Sequence, residues 1–120
     1  MKTMSNVDVY TISYELNKLL SGSRVDKSFQ PTHDTVVMRF HKAGYGRIDL
    51  VMQAGVRMHT SKYPMENPLT PPSFPMLLRK RVKGANVISI SQYNFDRVII
   101  IKMQKEQIYT LIIELFDKGN

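Results

Sequence analysis

Apolar residues recur at helical spacing in two stretches of the chain and alternate through most of the rest. In the first stretch Val9, Ile12, Leu16 and Leu19 form a stripe that Leu20 widens, which predicts an amphipathic helix. Ser5 stands at the N-cap position, and Asp8 three residues on makes the short-armed version of a capping box. Asp8 also complements the positive end of the helix dipole, which is reason enough for its presence. Gly22 closes the helix. Its outward face carries Tyr10, Tyr14 and Lys18 at steps of four. In the second stretch Phe74, Leu77, Leu78, Val82 and Ala85 share one face at 100° per residue. Ser73 is its expected N-cap, Pro75 fits a first turn, and residues 84–86 end it. Arg79, Lys80 and Lys83 fall on the opposite face, whereas Arg81 lands inside the apolar stripe. Either the Arg81 stem packs and its head snorkels to water, or the head meets an acidic side chain or a phosphate at the core edge.

The alternating segments read as strands. Residues 24–29 alternate weakly, with a turn at 30–34. Residues 35–41 are a β-rich run, and 42–46 the next turn. Residues 47–52 set Ile48, Leu50 and Met52 against Arg47, Asp49 and Val51. After an interruption at 53–55, a further strand occupies 56–60. Beyond the second helix come strands at 86–92, 97–103 and 107–115, with turns at 93–96 and 104–106. The strand from Arg97 is dense in β-branched residues and is expected to be central. These connections are too short for crossover helices, so the pairing is antiparallel. The order is helix, four strands, helix, three strands: one α+β domain over 1–120, with a largely antiparallel sheet or sandwich and two helices. Five of the six prolines lie between Pro64 and Pro75, which predicts an extended, stiff loop before the second helix.

Composition narrows the function. A chain of 120 residues with 42% hydrophobic content can bury one core. Its net charge of +7 and pI near 9.8 favour a polyanionic partner, nucleic acid or an anionic membrane face. Clustering of the charge on the second helix favours nucleic acid; a merely basic surface is the bland alternative. With no cysteine there is no disulfide framework and no thiolate metal site. His33, His41 and His59 lack zinc-ligand spacing, so no metal and no cofactor are expected. The N-terminus lacks an apolar signal segment, and the longest apolar run, Val98 to Ile101, reads as a buried strand. A soluble, intracellular protein with no membrane partner is the expectation. The eight methionines read as core fillers.

Familiar catalytic patterns are missing. Gly44-Tyr45-Gly46 lacks a third glycine and a following helix, so it reads as a hairpin turn. No serine sits in a Gly-x-Ser-x-Gly elbow, and no two acids have a spacing that pairs their carboxylates. Asp96 and Arg97 form a charged pair at a tight turn. They read either as a turn aspartate followed by a strand-edge arginine, or as functional side chains aimed by rigid flanking strands.

Three pieces of sequence carry a resemblance. One is Met4-Ser5-Asn6-Val7-Asp8 with the helix that runs to Leu-Leu-Ser-Gly-Ser-Arg-Val-Asp-Lys. Another is Gln53 to Thr60, followed by the proline-rich loop and Met76-Leu77-Leu78-Arg79-Lys80. The third is Phe95-Asp96-Arg97 with Leu111 to Asn120. In this order and spacing they resemble the N-terminal NFACT domain. This domain opens NEMF, RqcH and the proteins once called fibronectin-binding protein A. The resemblance spans essentially the whole chain and implies ribosome-associated quality control in the cytoplasm. It implies tRNA and the large ribosomal subunit with a stalled nascent chain as partners, and tail addition to that chain without mRNA. It implies a fold resembling the N-terminal domain of formamidopyrimidine-DNA glycosylases. It also implies that Asp8, Asp96 and Arg97 help to hold tRNA. Family members continue through further domains, so a fragment of a longer protein is expected.

The reading is an RNA-binding module that is not an enzyme. Arg79, Lys80 and Lys83 supply phosphate contacts, and Arg97 presents its planar head to a phosphate or base edge. Asp8 has a further candidate role in orienting a basic residue. The alternative is a DNA-glycosylase-like repair protein. Those enzymes use a proline amine just after the initiator with a glutamate beside it, and this chain begins Met1-Lys2-Thr3. A surface adhesin is a third reading, and the lack of a signal segment opposes it.

Overall fold

The computed structural model describes residues 4–53, 55–61 and 73–115. Helix α1 spans Asn6–Leu20 and is followed by β1 (Arg24–Thr32), β2 (Thr35–Lys42), β3 (Gly46–Gln53) and β4 (Arg57–Ser61). Helix α2 spans Ser73–Val82 and precedes β5 (Asn86–Gln92), β6 (Val98–Gln104) and β7 (Ile108–Glu114). The expected order of elements holds. The proline-rich loop, the Ser73 cap and the place of Phe74 lie outside what is described.

Local chemistry explains both ends of α1. The Asp8 backbone N–H donates to Ser5 Oγ and the Ser5 N–H donates to the Asp8 carboxylate, each at 3.1 Å. Two N–H groups that the helix leaves unpaired are thereby satisfied. At the other end, Lys42 Nζ donates to the Leu19 carbonyl at 2.6 Å and reaches that of Lys18 at 3.4 Å. A cation there satisfies free carbonyls and complements the negative end of the dipole. Gly22 then adopts a φ of 84°, a left-handed turn that costs glycine little and turns the chain into β1.

The seven strands form one antiparallel sheet in the order β4-β3-β2-β1-β5-β6-β7. It consists of two meanders, β1–β4 and β5–β7. They join where β1 meets β5, at the single register pair Arg24–Asn86. Backbone bonds secure the junction: Val25 N–H to Ala85 O, Gly84 N–H to Val25 O, Gly22 N–H to Val87 O and Val87 N–H to Ser23 O, all 2.7–2.9 Å. Helix α1 packs on β5, and α2 packs on β1. Leu16 and Leu20 of α1, Phe40 and Leu50 of the first meander, Val82 of α2, and Ile99 and Ile101 of β6 belong to one buried apolar cluster. Burying each side chain of this size contributes about 1.5–3 kcal/mol. Ile99 and Ile101 lie fully buried in β6, but that strand, expected to be central, lies next to the edge strand β7, and β1 takes the middle of the sheet.

Some expectations need correction. The turn expected at 30–34 shrinks, because β1 runs on to Thr32. A register shift between Phe29 and Thr32 passes over Pro31, which has no N–H to give to the ladder. Arg97 precedes β6 rather than opening it. Leu77 does not share the buried face of α2: it is 48% exposed while Leu78 is 6% exposed. The face of β3 opposite Ile48, Leu50 and Met52 is covered as well, which alternation alone does not indicate. Val51 packs with Phe29 and Val37 in a second buried cluster, and Asp49 is buried beside it.

Asp49 tolerates burial because Arg39, its register partner on β2, grips it with two bonds of 2.9 and 3.2 Å. The bonds to Asp49 raise the Arg39 pKa, with Asp26 adding to the effect. The Arg39 guanidinium also lies 5.5 Å from the centre of the Phe29 ring and covers it.

Candidate nucleic-acid interface

The turn between β5 and β6 is tightly made. Asn94 and Phe95 take φ values of 47° and 53° in succession. Asparagine visits this left-handed region readily; phenylalanine does so at a cost of about 1–3 kcal/mol. Bonds from Tyr93 N–H to Val98 O and from Asp96 N–H to Tyr93 O close the turn. The Asp96 carboxylate accepts the backbone N–H of Arg97 at 2.7 Å, and the Arg97 carbonyl accepts the N–H of Leu115. The expected link between Asp96 and Arg97 therefore includes a carboxylate-to-backbone bond, which fixes the chain direction where β6 begins.

Gln92 connects this turn to the start of α1. Its side-chain Nε2 donates to the Asn6 carbonyl at 2.9 Å and to the Asp96 carbonyl at 2.8 Å. The Phe95 ring rests on Tyr10, with centroids 6.0 Å apart and planes at 59°. Asp8, Asp96 and Arg97, distant in sequence, are thus gathered at one end of the domain. Asp8 and Asp96 are exposed and Arg97 is half-buried. The Asp8 carboxylate serves the α1 cap.

The basic helix lies elsewhere. Leu77, Leu78, Arg81 and Val82 line a cavity of about 200 Å³ with Met103 and with Tyr109 to Leu111. Those partners lie at the far end of β6 and the near end of β7, a strand length of roughly 20 Å from Arg97. Lys80 and Lys83 are exposed there, and Arg79 lies on the same helix. The six expected site residues therefore form two surfaces, not one. Arg81 is exposed beside Tyr109, which agrees with a packed stem and a solvated head.

The turn between β1 and β2 carries a different electrostatic feature. The Asp34 carboxylate accepts from Thr32 Oγ1, Gln53 Nε2 and Thr35 Oγ1. The Thr32 and Gln53 bonds do most to hold its pKa down at about 2. Among the described residues, no group of three acidic or histidine side chains could hold a metal ion. No helix among them is long and apolar enough to cross a membrane.

Their spacing puts Tyr10 and Tyr14 on the outward face of α1. Phe95 joins them only through the fold. The available signal was an aromatic residue beside an asparagine in a short turn.

These elements define an α+β domain: a seven-stranded antiparallel sheet with two helices, in which Gln92 ties the start of α1 to the charged β5–β6 turn. A family profile described as NFACT N-terminal and middle domains matches residues 5–120, and the chain belongs to that family. It is 39% identical over 123 residues to the archaeal Rqc2 homolog aRqcH of Methanocaldococcus jannaschii, covering 98% of this chain and 18% of that protein. It is 33% identical over 117 residues to the ribosome quality control complex subunit NEMF of Mus musculus, covering 97% of this chain and 11% of that protein. The crystal structure of the N-terminal domain of fibronectin-binding protein PavA from Streptococcus pneumoniae superposes with a TM-score of 0.88 at 28% identity. That match covers 94% of this chain and 46% of the other. The chain thus spans less than a fifth of these curated relatives and about half of the solved one.

Proposed function

We propose that this chain is the RNA-binding module of a ribosome-associated quality control factor. It takes tRNA and the large ribosomal subunit carrying a stalled nascent chain, and it serves tail addition to that chain in the cytoplasm. It acts by binding, not catalysis. Its fold is akin to the N-terminal domain of formamidopyrimidine-DNA glycosylases. One observation carries the reading: Gln92 ties the start of α1 to the β5–β6 turn, so Asp8, Asp96 and Arg97 share one surface. The net charge of +7 and relatives named as ribosome quality control subunits add support. Arg97 brings a planar fork suited to a phosphate or base edge, and Asp96 seats its backbone.

The test is ultraviolet crosslinking of the chain to tRNA and to large ribosomal subunits, with sites mapped. Crosslinks are expected at the start of α1 and at 94–97. Asp96→Ala and Arg97→Ala are expected to cost at most about 1 kcal/mol of stability and to reduce tRNA binding at least tenfold. Arg97→Lys restores only part, because it keeps the charge and loses the fork. If both alanine variants unfold the chain, the pair is structural. The name of the solved relative favours a second reading, fibronectin binding. On that reading immobilised fibronectin retains the chain, and tRNA does not compete.

A further inference from the structure

Four aromatic side chains project from one end of the domain. Tyr10, Tyr14, Tyr93 and Phe95 are each 52–59% exposed. Single exposed apolar residues are ordinary, but a group this size in one place marks a contact surface. Tyr10, Tyr14 and Phe95 line one groove of about 460 Å³ between α1 and the end of β5. Ile90 also lines it, and Ser91 and Asn94 bring polar groups to it. Phe95 is held on Tyr10 by two successive left-handed residues, a backbone cost that burial of Phe95 does not offset. Lys18 Nζ lies 5.4 Å from the centre of the Tyr14 ring. Tyr10 and Tyr14 stand one helical turn apart, about 5–6 Å between Cβ atoms. That is between one and two base-stacking steps of roughly 3.4 Å.

We infer that this groove is a stacking platform for unpaired nucleobases of single-stranded RNA. Tyr14 and the Tyr10–Phe95 pair offer ring faces, Ser91 and Asn94 offer hydrogen bonds to base edges, and Lys18 lies within reach of the adjoining phosphate. The inference rests on the RNA-binding reading above and adds the strand state of the RNA. A duplex hides its base faces, whereas loops and single strands present them to aromatic side chains. A groove rich in tyrosine also suits proline-rich peptides. The charge of +7 and the lysine against Tyr14 favour a polyanion.

The experiment titrates this chain with fluorescein-labelled oligoadenylate of about ten nucleotides and with an abasic ribose-phosphate oligomer of equal length. Wild type is expected to bind the base-bearing strand at least tenfold tighter. Tyr14→Leu, on an exposed helical position, is expected to lose about tenfold on oligoadenylate, with no change on the abasic oligomer and an unchanged salt slope. Phe95→Leu is expected to behave alike, with thermal melting checking that its turn persists. Equal wild-type affinity for both oligomers overturns the platform and leaves RNA binding standing. Wild-type affinity for oligoadenylate in Tyr14→Leu also overturns it. Binding of neither oligomer overturns both readings. Tyr14-dependent binding of a proline-rich decapeptide with no oligoadenylate binding assigns the groove to peptides instead.

Discussion

A single side-chain nitrogen of Gln92 donates to the carbonyl of Asn6, 86 residues away in the chain, at 2.9 Å. It also donates to the carbonyl of Asp96, four residues away, at 2.8 Å. The start of α1 and the β5–β6 turn are coupled through it. Gln92→Leu keeps the bulk and removes both bonds, at a net cost of about 1–2 kcal/mol. The melting temperature is expected to fall by about 3–8 °C. RNA binding should weaken further than that cost implies, because Asp8 and Arg97 lose their common frame. A variant that melts and binds like wild type would sink the coupling.

The Arg39–Asp49 pair is the buried ion pair of the sheet, with side-chain exposures of 14% and 1%. Removing one partner strands a charge in low dielectric. Asp49→Ala is expected to cost about 3–5 kcal/mol in urea unfolding. Replacing both, as Arg39→Met with Asp49→Leu, should cost much less, since no charge is left unpaired. Equal losses in the single and double variants would contradict this account.

Leu77 and Leu78 are adjacent on α2 and differ sharply in burial. Leu78→Ala is expected to destabilise by about 2–5 kcal/mol through lost burial and the cavity left behind. Leu77→Ala should stay within about 0.5 kcal/mol. Chemical denaturation of both variants decides it, and similar losses would mean that α2 is turned otherwise.

The basic face of α2 is expected to bind RNA by charge, independently of the Asp96 surface. Changing Arg79, Lys80 and Lys83 together to glutamine should weaken binding about equally across sequences. The slope of log affinity against log salt should fall by roughly 0.7 for each lost contact with a single strand. Combined with Arg97→Ala, the losses should add, because the two surfaces lie roughly a strand length apart. An unchanged slope removes α2 from the interface.

Asp34 predicts an acid-sensitive turn. Its folded pKa of about 2 lies below the unfolded value near 3.8, so its stabilisation is complete above about pH 4. It is lost as pH falls from about 4 towards 2. Asp34→Asn should reduce stability near neutrality and flatten the decline over that window. Urea midpoints at pH 6 and pH 2.5 measure both effects, and parallel declines in the two proteins would refute the assignment.

Much of the local structure was legible in the residues. The Ser5–Asp8 capping box, the α1 stripe and the strand-forming runs of β2 and β6 each follow from neighbours in sequence, through their spacing and their β-branched side chains. The tertiary structure alone decided the rest. Periodicity marks which positions turn inward; it does not say which strand lies alongside, or whether a second face is covered. Alternation set Asp49 against Ile48 and Leu50, but only register placed Arg39 opposite it. Leu77 and Leu78 differ because β1, β6 and β7 leave room for one face of α2. The start of α1 and the Asp96 turn came together, and the basic helix did not join them, because the Gln92 bridge and the order of strands are contacts between residues far apart in the chain.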